Sequence, residues 1–271
     1  MFGIAYRMLG SASEAEDIVQ DAWLRWQGVT EPVDNPGAYL ATIVTRLSLT
    51  TLDSARVRRE QYVGPWVPEP ITDAHDPLLG AEHAESLSLA VLLLLERLTP
   101  LERAAYVLHE AFDYPYGQVA ELLETSEANA RQLGSRARAH LDRERGVTVS
   151  GAERERLLAA FIAAAQSGDL ATLEAVLAED VLTLSDGGGV VAAARKPVVG
   201  RDHVARFLLG VLQKFAGDIL PVPVHANGEV GIWGVRDDGL GVFWTADFTA
   251  RGVSRILIVM NPEKLRHVSP A

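Results

Sequence analysis

The sequence predicts a multidomain chain, two all-α domains followed by an α+β domain. Three observations carry this. Apolar residues recur at helical spacing through residues 2–145 of a 271-residue chain, which is longer than one ordinary domain needs. A stretch at 61–80, with Pro65, Pro68, Pro70 and Pro77, interrupts that pattern. Beyond residue 153 two helical segments give way to strand-like runs, the order expected of an α+β domain.

Taken in order, residues 2–27 read as a helical hairpin broken at Gly10-Ser11, with Ser13 as the cap of its second helix and Ile18, Val19, Ala22 and Trp26 on its apolar face. Trp26 is expected in the core. Asp17, Gln20, Asp21 and Arg25 make a second face, with Trp23 and Leu24 at its edge. A loop at 28–38 precedes one long helix from Tyr39 to Arg59 that ends in ARVRRE. Residues 61–80 form a linker, and Trp66 and Val67 are too apolar for a free tether, so it is expected to dock. A helix over 81–98 follows, then one from Thr99-Pro100 to about Phe112.

Residues 113–141 read as two helices and a tight turn. Val119, Ala120, Leu122 and Leu123 give the first helix its apolar face, and Ser126 caps the second. That second helix buries Ala130, Leu133, Ala137 and Leu141 and presents Asn129, Arg131, Gln132, Ser135, Arg136 and Arg138. This is the layout of a helix-turn-helix, whose amide and guanidinium groups can reach base edges and phosphates. An ordinary hairpin with a solvated face is the alternative. Glu124 stands where such turns often have glycine.

In the last third, helices cover 153–178. A short strand at Val181–Leu184 leads into Asp186-Gly187-Gly188-Gly189, a helix spans 202–215, and antiparallel strands follow at 219–225, 229–235, 241–249 and 253–260. Asp186, His203, Trp244 and Asp247 are candidate pocket residues. No His or carboxylate pairing argues for catalysis or metal binding, and the glycine run lacks the Lys-Ser/Thr of a phosphate-binding loop.

Composition narrows the function further. With no cysteine, the chain cannot form disulfides, Cys-ligated zinc or Fe–S sites, which suits a reducing cytoplasm, the expected location. The longest apolar run, Leu89 to Leu95, cannot span a bilayer, and no leader pattern is visible, so no membrane partner is expected. A net charge of −11 is opposite to what unaided DNA binding needs. Yet basic residues cluster at Arg56, Arg58 and Arg59, and again at Arg131, Arg136, Arg138, Arg143 and Arg145.

The segments EAEDIVQDAWLRW, NPGAYLATIVTRLSL with ARVRRE, and LTPLERAAYVLHEAFDYPYGQVAELLETSEANARQLGSRARAHL resemble regions 2 and 4 of an extracytoplasmic-function (ECF) sigma factor, in order, spacing and residue type. The C-terminal third resembles SnoaL-like members of the NTF2-like superfamily, a curved sheet around helices in a cone-shaped domain. WVPEP in the linker, DGGG at 186–189 and NPEKL at 261–265 resemble the signatures of the ECF41 group, which carries such an extension. The group's glycine motif usually continues with lysine, where this chain has Val190. Its members also usually have another turn or more of helix before FGIAYRMLG, close to where this sequence begins.

The resemblance implies an organisation of region 2 at 1–60, a linker at 61–80, region 4 at 81–145 and a SnoaL-like domain at 153–271. It implies core RNA polymerase as partner, through the clamp coiled coil and the flap, with Asp17, Gln20, Asp21, Trp23 and Leu24 docking on the clamp. It implies promoter DNA as the second partner. Tyr39, Arg46, Arg56, Arg58 and Arg59 would serve the −10 element; Ser126, Asn129, Arg131, Gln132, Ser135, Arg136 and Arg138 would serve the −35 element. Charge need not then be positive overall, because the polymerase supplies much of the affinity. The chain's own C-terminal domain would regulate in cis, through Trp66, Val67, Pro68, Glu69, Pro70, Asp186, Gly187, Gly188, Gly189, Asn261, Pro262, Glu263, Lys264 and Leu265. No cofactor, metal or catalytic residue is implied, and the chain is not read as an enzyme. Two other readings stay open: a regulator whose C-terminal domain binds a small-molecule ligand, and a cyclase-type enzyme fused to a DNA-binding module.

Overall fold

A computed structural model describes residues 1–72, 87–144, 149–215, 221–236 and 238–268. The chain divides into two compact units, one drawn from Met1–Gln61 and Asp76–Glu144, the other from Tyr62–His75 and Arg145–Ala271. Among the described residues no helix is long and apolar enough to cross a membrane.

The first unit is helical: α1 (Phe2–Leu9), α2 (Ala12–Gln27), α3 (Pro36–Glu60), α4 (Leu89–Leu95), α5 (Pro100–Tyr106) with a π-helical turn at Val107–Ala111, α6 (Tyr116–Leu122) and α7 (Glu127–Glu144). Gly10 closes α1 in the left-handed conformation, at φ 66°. This leaves Ser11 extended, and Ser11 rather than Ser13 caps α2, accepting from the Glu14 N–H at 3.1 Å. α3 starts earlier than expected because Asn35 caps it and Pro36 sits in its first turn, where a missing N–H costs nothing. Of the helix expected over 81–98, only Leu89–Leu95 is helical among the described residues, and 81–86 lie outside them. Thr99 and Glu102 cap α5 reciprocally.

α1, α2 and α3 pack on one another. α1 also meets α4 and the π-helical turn, and α3 meets α5 and α6. The two helical stretches therefore share one core, in which Tyr6, Met8, Leu9, Leu92, Leu95 and Leu108 are fully buried.

The second unit holds α8 (Gly151–Ser167), α9 (Leu170–Val176), β1 (Leu177–Asp186), β2 (Val198–Val199), α10 (Arg201–Phe215), β3 (Val222–Ala226), β4 (Glu229–Val235), β5 (Gly241–Thr249) and β6 (Gly252–Val259). The sheet order is β2-β1-β6-β5-β4-β3. The expected antiparallel run forms as β3 to β6, but the sheet as a whole is mixed: β6, the last strand of the meander, returns beside β1 in the same direction. β1 is also longer than Val181–Leu184, because Leu177 pairs with Val253 across a bulge at which Glu179 and Asp180 stay exposed. The first strand of the meander begins at Val222, and residues 219–220 lie outside those described. Phe161, Leu173, Val204 and Leu208 from the helices pack against Ala246, Ile256 and Ile258 of the sheet. Alternation along the strands puts Leu184, Asp186, Leu257 and Val259 on the opposite face.

Candidate functional site

The helix-turn-helix forms at α6 and α7. Leu123 and Thr125 donate back to Val119 and Ala120 carbonyls at 3.0 and 2.9 Å, and Glu124 turns the corner at φ 52°. The corner thus does need the left-handed conformation, at a cost of about 1 kcal/mol or more for a non-glycine residue. Ser126 accepts from the Asn129 N–H at 3.2 Å. Ala130, Leu133, Ala137 and Leu141 are buried, while Ser126, Arg131, Gln132, Ser135, Arg136 and Arg138 are exposed. Asn129 is half-buried, its amide donating to the Thr125 hydroxyl at 2.8 Å. The close approach of the two helices depends on Gly134, where a Cβ would stand 2.5 Å from the Tyr116 hydroxyl. Tyr116 in turn stacks on His109, ring centroids 3.9 Å apart.

On α3, Tyr39, Arg46 and Arg58 are exposed and Arg59 is partly buried; the Arg56 side chain lies outside the described residues. Every described arginine of the two DNA sets has a glutamate partner. Arg46 pairs with Glu124 at 2.7 Å and Arg136 with Glu102 at 3.3 Å; Arg58 pairs with Glu14, Arg59 with Glu96, Arg131 with Glu127 and Arg138 with Glu110.

α2 buries Ala15, Ile18 and Ala22 and exposes Asp17, Gln20, Asp21, Trp23 and Leu24. Trp23 is 52% and Leu24 58% exposed, which nothing in the unit's own packing requires. Trp26 is not the core filler the sequence suggests. It is half-buried and tilted against Tyr39, with centroids 5.9 Å apart, because smaller residues of α2 fill the contact with α1 and α3.

In the second unit the linker is a strap. Val67, Pro68, Glu69 and Pro70 are buried and Trp66 half-buried. Thr72 bridges Ala226, and Ile71 and Asn227 bond twice, with Asn227 at φ 57°. Everything converges on Asp186, which is 1% exposed. Its carboxylate accepts from the Tyr62 hydroxyl at 2.5 Å, the Val67 N–H at 2.9 Å, the Gly188 N–H at 3.0 Å and the Lys264 ammonium at 2.7 Å. Lys264 also donates to the Val67 carbonyl at 2.6 Å and sits 4.2 and 4.7 Å from the ring centroids of Trp66 and Tyr62. Asn261 donates to the Tyr62 hydroxyl at 2.9 Å and accepts from the Glu263 N–H at 3.1 Å. Gly188, at φ 62°, lies against the Asn261 amide, where a Cβ would collide. WVPEP, DGGG and NPEKL are thus one cluster: Gly187 and Leu265 are buried in it, and Gly189, Pro262 and Glu263 lie at its rim.

Sequence reasoning missed Tyr62 and Asn227, which no periodic pattern marks. It also missed Arg103, whose signal was a charge among the apolar residues of α5. Arg103 is 3% exposed and donates to the Met8 carbonyl at 2.7 Å and to Glu96 at 2.8 Å. The four pocket candidates do not share partners. Asp186 holds the strap, and exposed His203 bonds the Val199 carbonyl at 3.1 Å. Trp244 packs edge-on against Phe161, and Asp247 pairs with Arg255 at 3.6 Å. A cavity of about 220 Å³ lies beside the strap instead, lined by Val63, Gly64, Ser185 and 189–195.

Burial, and then the bond to Asp186, push the Tyr62 phenol above its ordinary value of 10.0. The folded chain keeps this proton where the unfolded chain loses it, so its contribution is intact below pH 10 and falls as pH rises further. The expected result is alkaline release of the strap. Tyr62→Phe should be less stable near neutrality, by about 1–3 kcal/mol for a lost bond to a charged group. It should also lose stability less steeply above pH 10. A difference between the two proteins that stays constant from pH 8 to 11, in urea titrations, would contradict this.

Residues 1–58 match the family described as Sigma-70 region 2, and residues 88–141 match Sigma-70, region 4. The chain is 41% identical over 241 residues to the ECF RNA polymerase sigma factor SigJ of Mycobacterium tuberculosis, covering 86% of this chain and 77% of that protein. It is 31% identical over 267 residues to the probable ECF RNA polymerase sigma factor SigI of the same species, covering 97% and 90%. The crystal structure of the M. tuberculosis extracytoplasmic function sigma factor SigJ superposes with a TM-score of 0.79 at 36% identity, over 98% of this chain and 94% of that one.

Proposed function

Since the chain belongs to the ECF RNA polymerase sigma factors, we propose that it brings core polymerase to promoters through three surfaces of its helical unit and is held in check by its strapped linker. As a sigma factor it acts in transcription initiation. The α2 face of Asp17, Gln20, Asp21, Trp23 and Leu24 docks on the polymerase clamp coiled coil. Tyr39, Arg46, Arg56, Arg58 and Arg59 serve the −10 element. Ser126, Asn129, Arg131, Gln132, Ser135, Arg136 and Arg138 serve the −35 element. The α+β domain is regulatory and not catalytic.

The observation that supports the regulatory part is the capture of Tyr62–Thr72 by Asp186, Asn227 and Lys264. These eleven residues lie between region 2 and region 4 in the chain. Freed, they would add roughly 35 Å of reach at about 3.3 Å per residue. Strapped, that length is held on the α+β unit and is not free. The two DNA readers meanwhile share one core, so promoter engagement needs them to part, and releasing the strap gives them the length to do so.

The test is in vitro transcription with core polymerase from the promoter upstream of the chain's own gene. The full chain is compared with one ending at residue 150. Transcripts should depend on added protein and differ in yield between the two forms. Absence of any transcript from both forms, each folded, would sink the sigma reading, and equal yields would sink the regulatory one.

A further inference from the structure

We propose that the free chain masks its own promoter-binding arginines with glutamates, so that engaging DNA is an exchange of carboxylates for phosphates. This rests on the sigma-factor reading of those arginines given above. Of the six pairs, only Arg131–Glu127 is the i,i+4 ladder that any exposed helix displays. The other five glutamates come from elements other than the arginine's own. Glu14 lies on α2, Glu96 just beyond α4, Glu102 on α5, Glu110 on the π-helical turn and Glu124 at the helix-turn-helix corner.

Two of these pairs do more than neutralise. Arg46–Glu124 and Arg59–Glu96 join the −10 arginines to the half of the unit that carries the −35 reader. Arg59 and Glu96 are each 16% exposed. Glu96 is shared with Arg103, while Arg59 and Arg103 also donate to the Leu9 and Met8 carbonyls at the end of α1. A planar guanidinium binds carboxylate and phosphate in the same forked geometry. A glutamate in that place is therefore a stand-in for the DNA backbone, and each phosphate must displace one. The mask also bears on the basic clusters in a chain of charge −11: their described arginines on the two DNA surfaces are each paired with a carboxylate in the free protein.

Each exposed pair should weaken DNA binding by about two- to fivefold. The experiment measures binding of the full chain, without polymerase, to a fluorescein-labelled duplex by anisotropy across a salt series. The mask triple Glu14→Gln, Glu110→Gln and Glu124→Gln is compared with a control triple of equal charge change, Glu155→Gln, Glu174→Gln and Glu179→Gln, in the α+β domain. The mask triple should bind about tenfold tighter or more. The slope of log K against log salt should steepen by up to about 0.9 per uncovered arginine. The control triple should gain less than twofold. Should the mask triple fold poorly, Glu124→Gln alone, at a 73% exposed side chain, should still gain about two- to fivefold.

Equal gains in both triples, or no gain from the mask triple and from Glu124→Gln, would overturn the masking. Transcription by the unaltered chain, run beside these, separates the two failures. A chain that transcribes but gains nothing from unmasking keeps the sigma reading and loses the mask. A chain that transcribes neither at full length nor when ended at residue 150, though folded, loses both.

Discussion

Replacing Asp186 by alanine should release the Tyr62–Thr72 strap and lower the stability of the α+β unit by about 3–5 kcal/mol. The magnitude follows from what is left behind. Lys264 is 5% exposed, and its ammonium would lose its carboxylate while still facing the Val67 carbonyl and the two aromatic rings. The Tyr62 hydroxyl and the Val67 and Gly188 N–H groups would each lose an acceptor. A buried ammonium without its carboxylate and three donors without their shared acceptor are not absorbed by rotamer changes when the neighbours are Pro68, Pro70 and glycines. Limited proteolysis should cut the strap in Asp186→Ala and spare it in the unaltered chain, and Trp66 emission should shift to the red. Adding Lys264→Met removes the stranded charge, so the double variant should be more stable than Asp186→Ala alone. An unchanged urea midpoint together with an uncut strap would remove Asp186 from its central role.

That cluster shows what a sequence can and cannot yield. WVPEP, DGGG and NPEKL were legible as short stretches only through their resemblance to the signatures of the ECF41 group. The same resemblance implied that the linker meets the C-terminal domain near the other two stretches, but not that they converge on one carboxylate, which depends on tertiary contacts across more than a hundred residues. Tyr62 carried no signal for the same reason. The parallel pairing of β1 with β6 was illegible because alternation gives the face of a strand but not its neighbour or direction. Helix-turn-helix positions were legible almost residue by residue: the burial of Ala130, Leu133, Ala137 and Leu141 follows from their spacing alone. Glu124 was legible only as a tension between residue type and turn, and the chain resolves it with a positive φ. The cap of α2 was misplaced by two residues because the left-handed Gly10, not the serine count, decides where the extended cap residue falls.

The largest effect on activity should come from Trp23. Trp23→Ala is expected to reduce binding to core polymerase by about 30-fold or more, the loss of 2 kcal/mol or more typical of an aromatic anchor, with no change in melting temperature. The two halves of that statement rest on separate facts. Stability should hold because Trp23 is 52% exposed and α2 makes its contacts with α1 and α3 through Ala15, Ile18 and Ala22. Affinity should fall because the indole and Leu24 form the only large exposed apolar pair on the α2 face among the described residues, ringed by Asp17, Gln20 and Asp21. An apolar centre with a polar rim is how a docking site excludes water from its anchor. Trp26→Ala makes the informative contrast. It removes a half-buried ring that packs on Tyr39, so it should lower stability and disturb the −10 surface while leaving the α2 face in place. Polymerase binding and thermal melts on both variants decide between the two roles. If Trp23→Ala binds polymerase as the unaltered chain does, while Trp26→Ala does not, the docking face lies at the α2–α3 junction and the assignment of Trp23 is wrong.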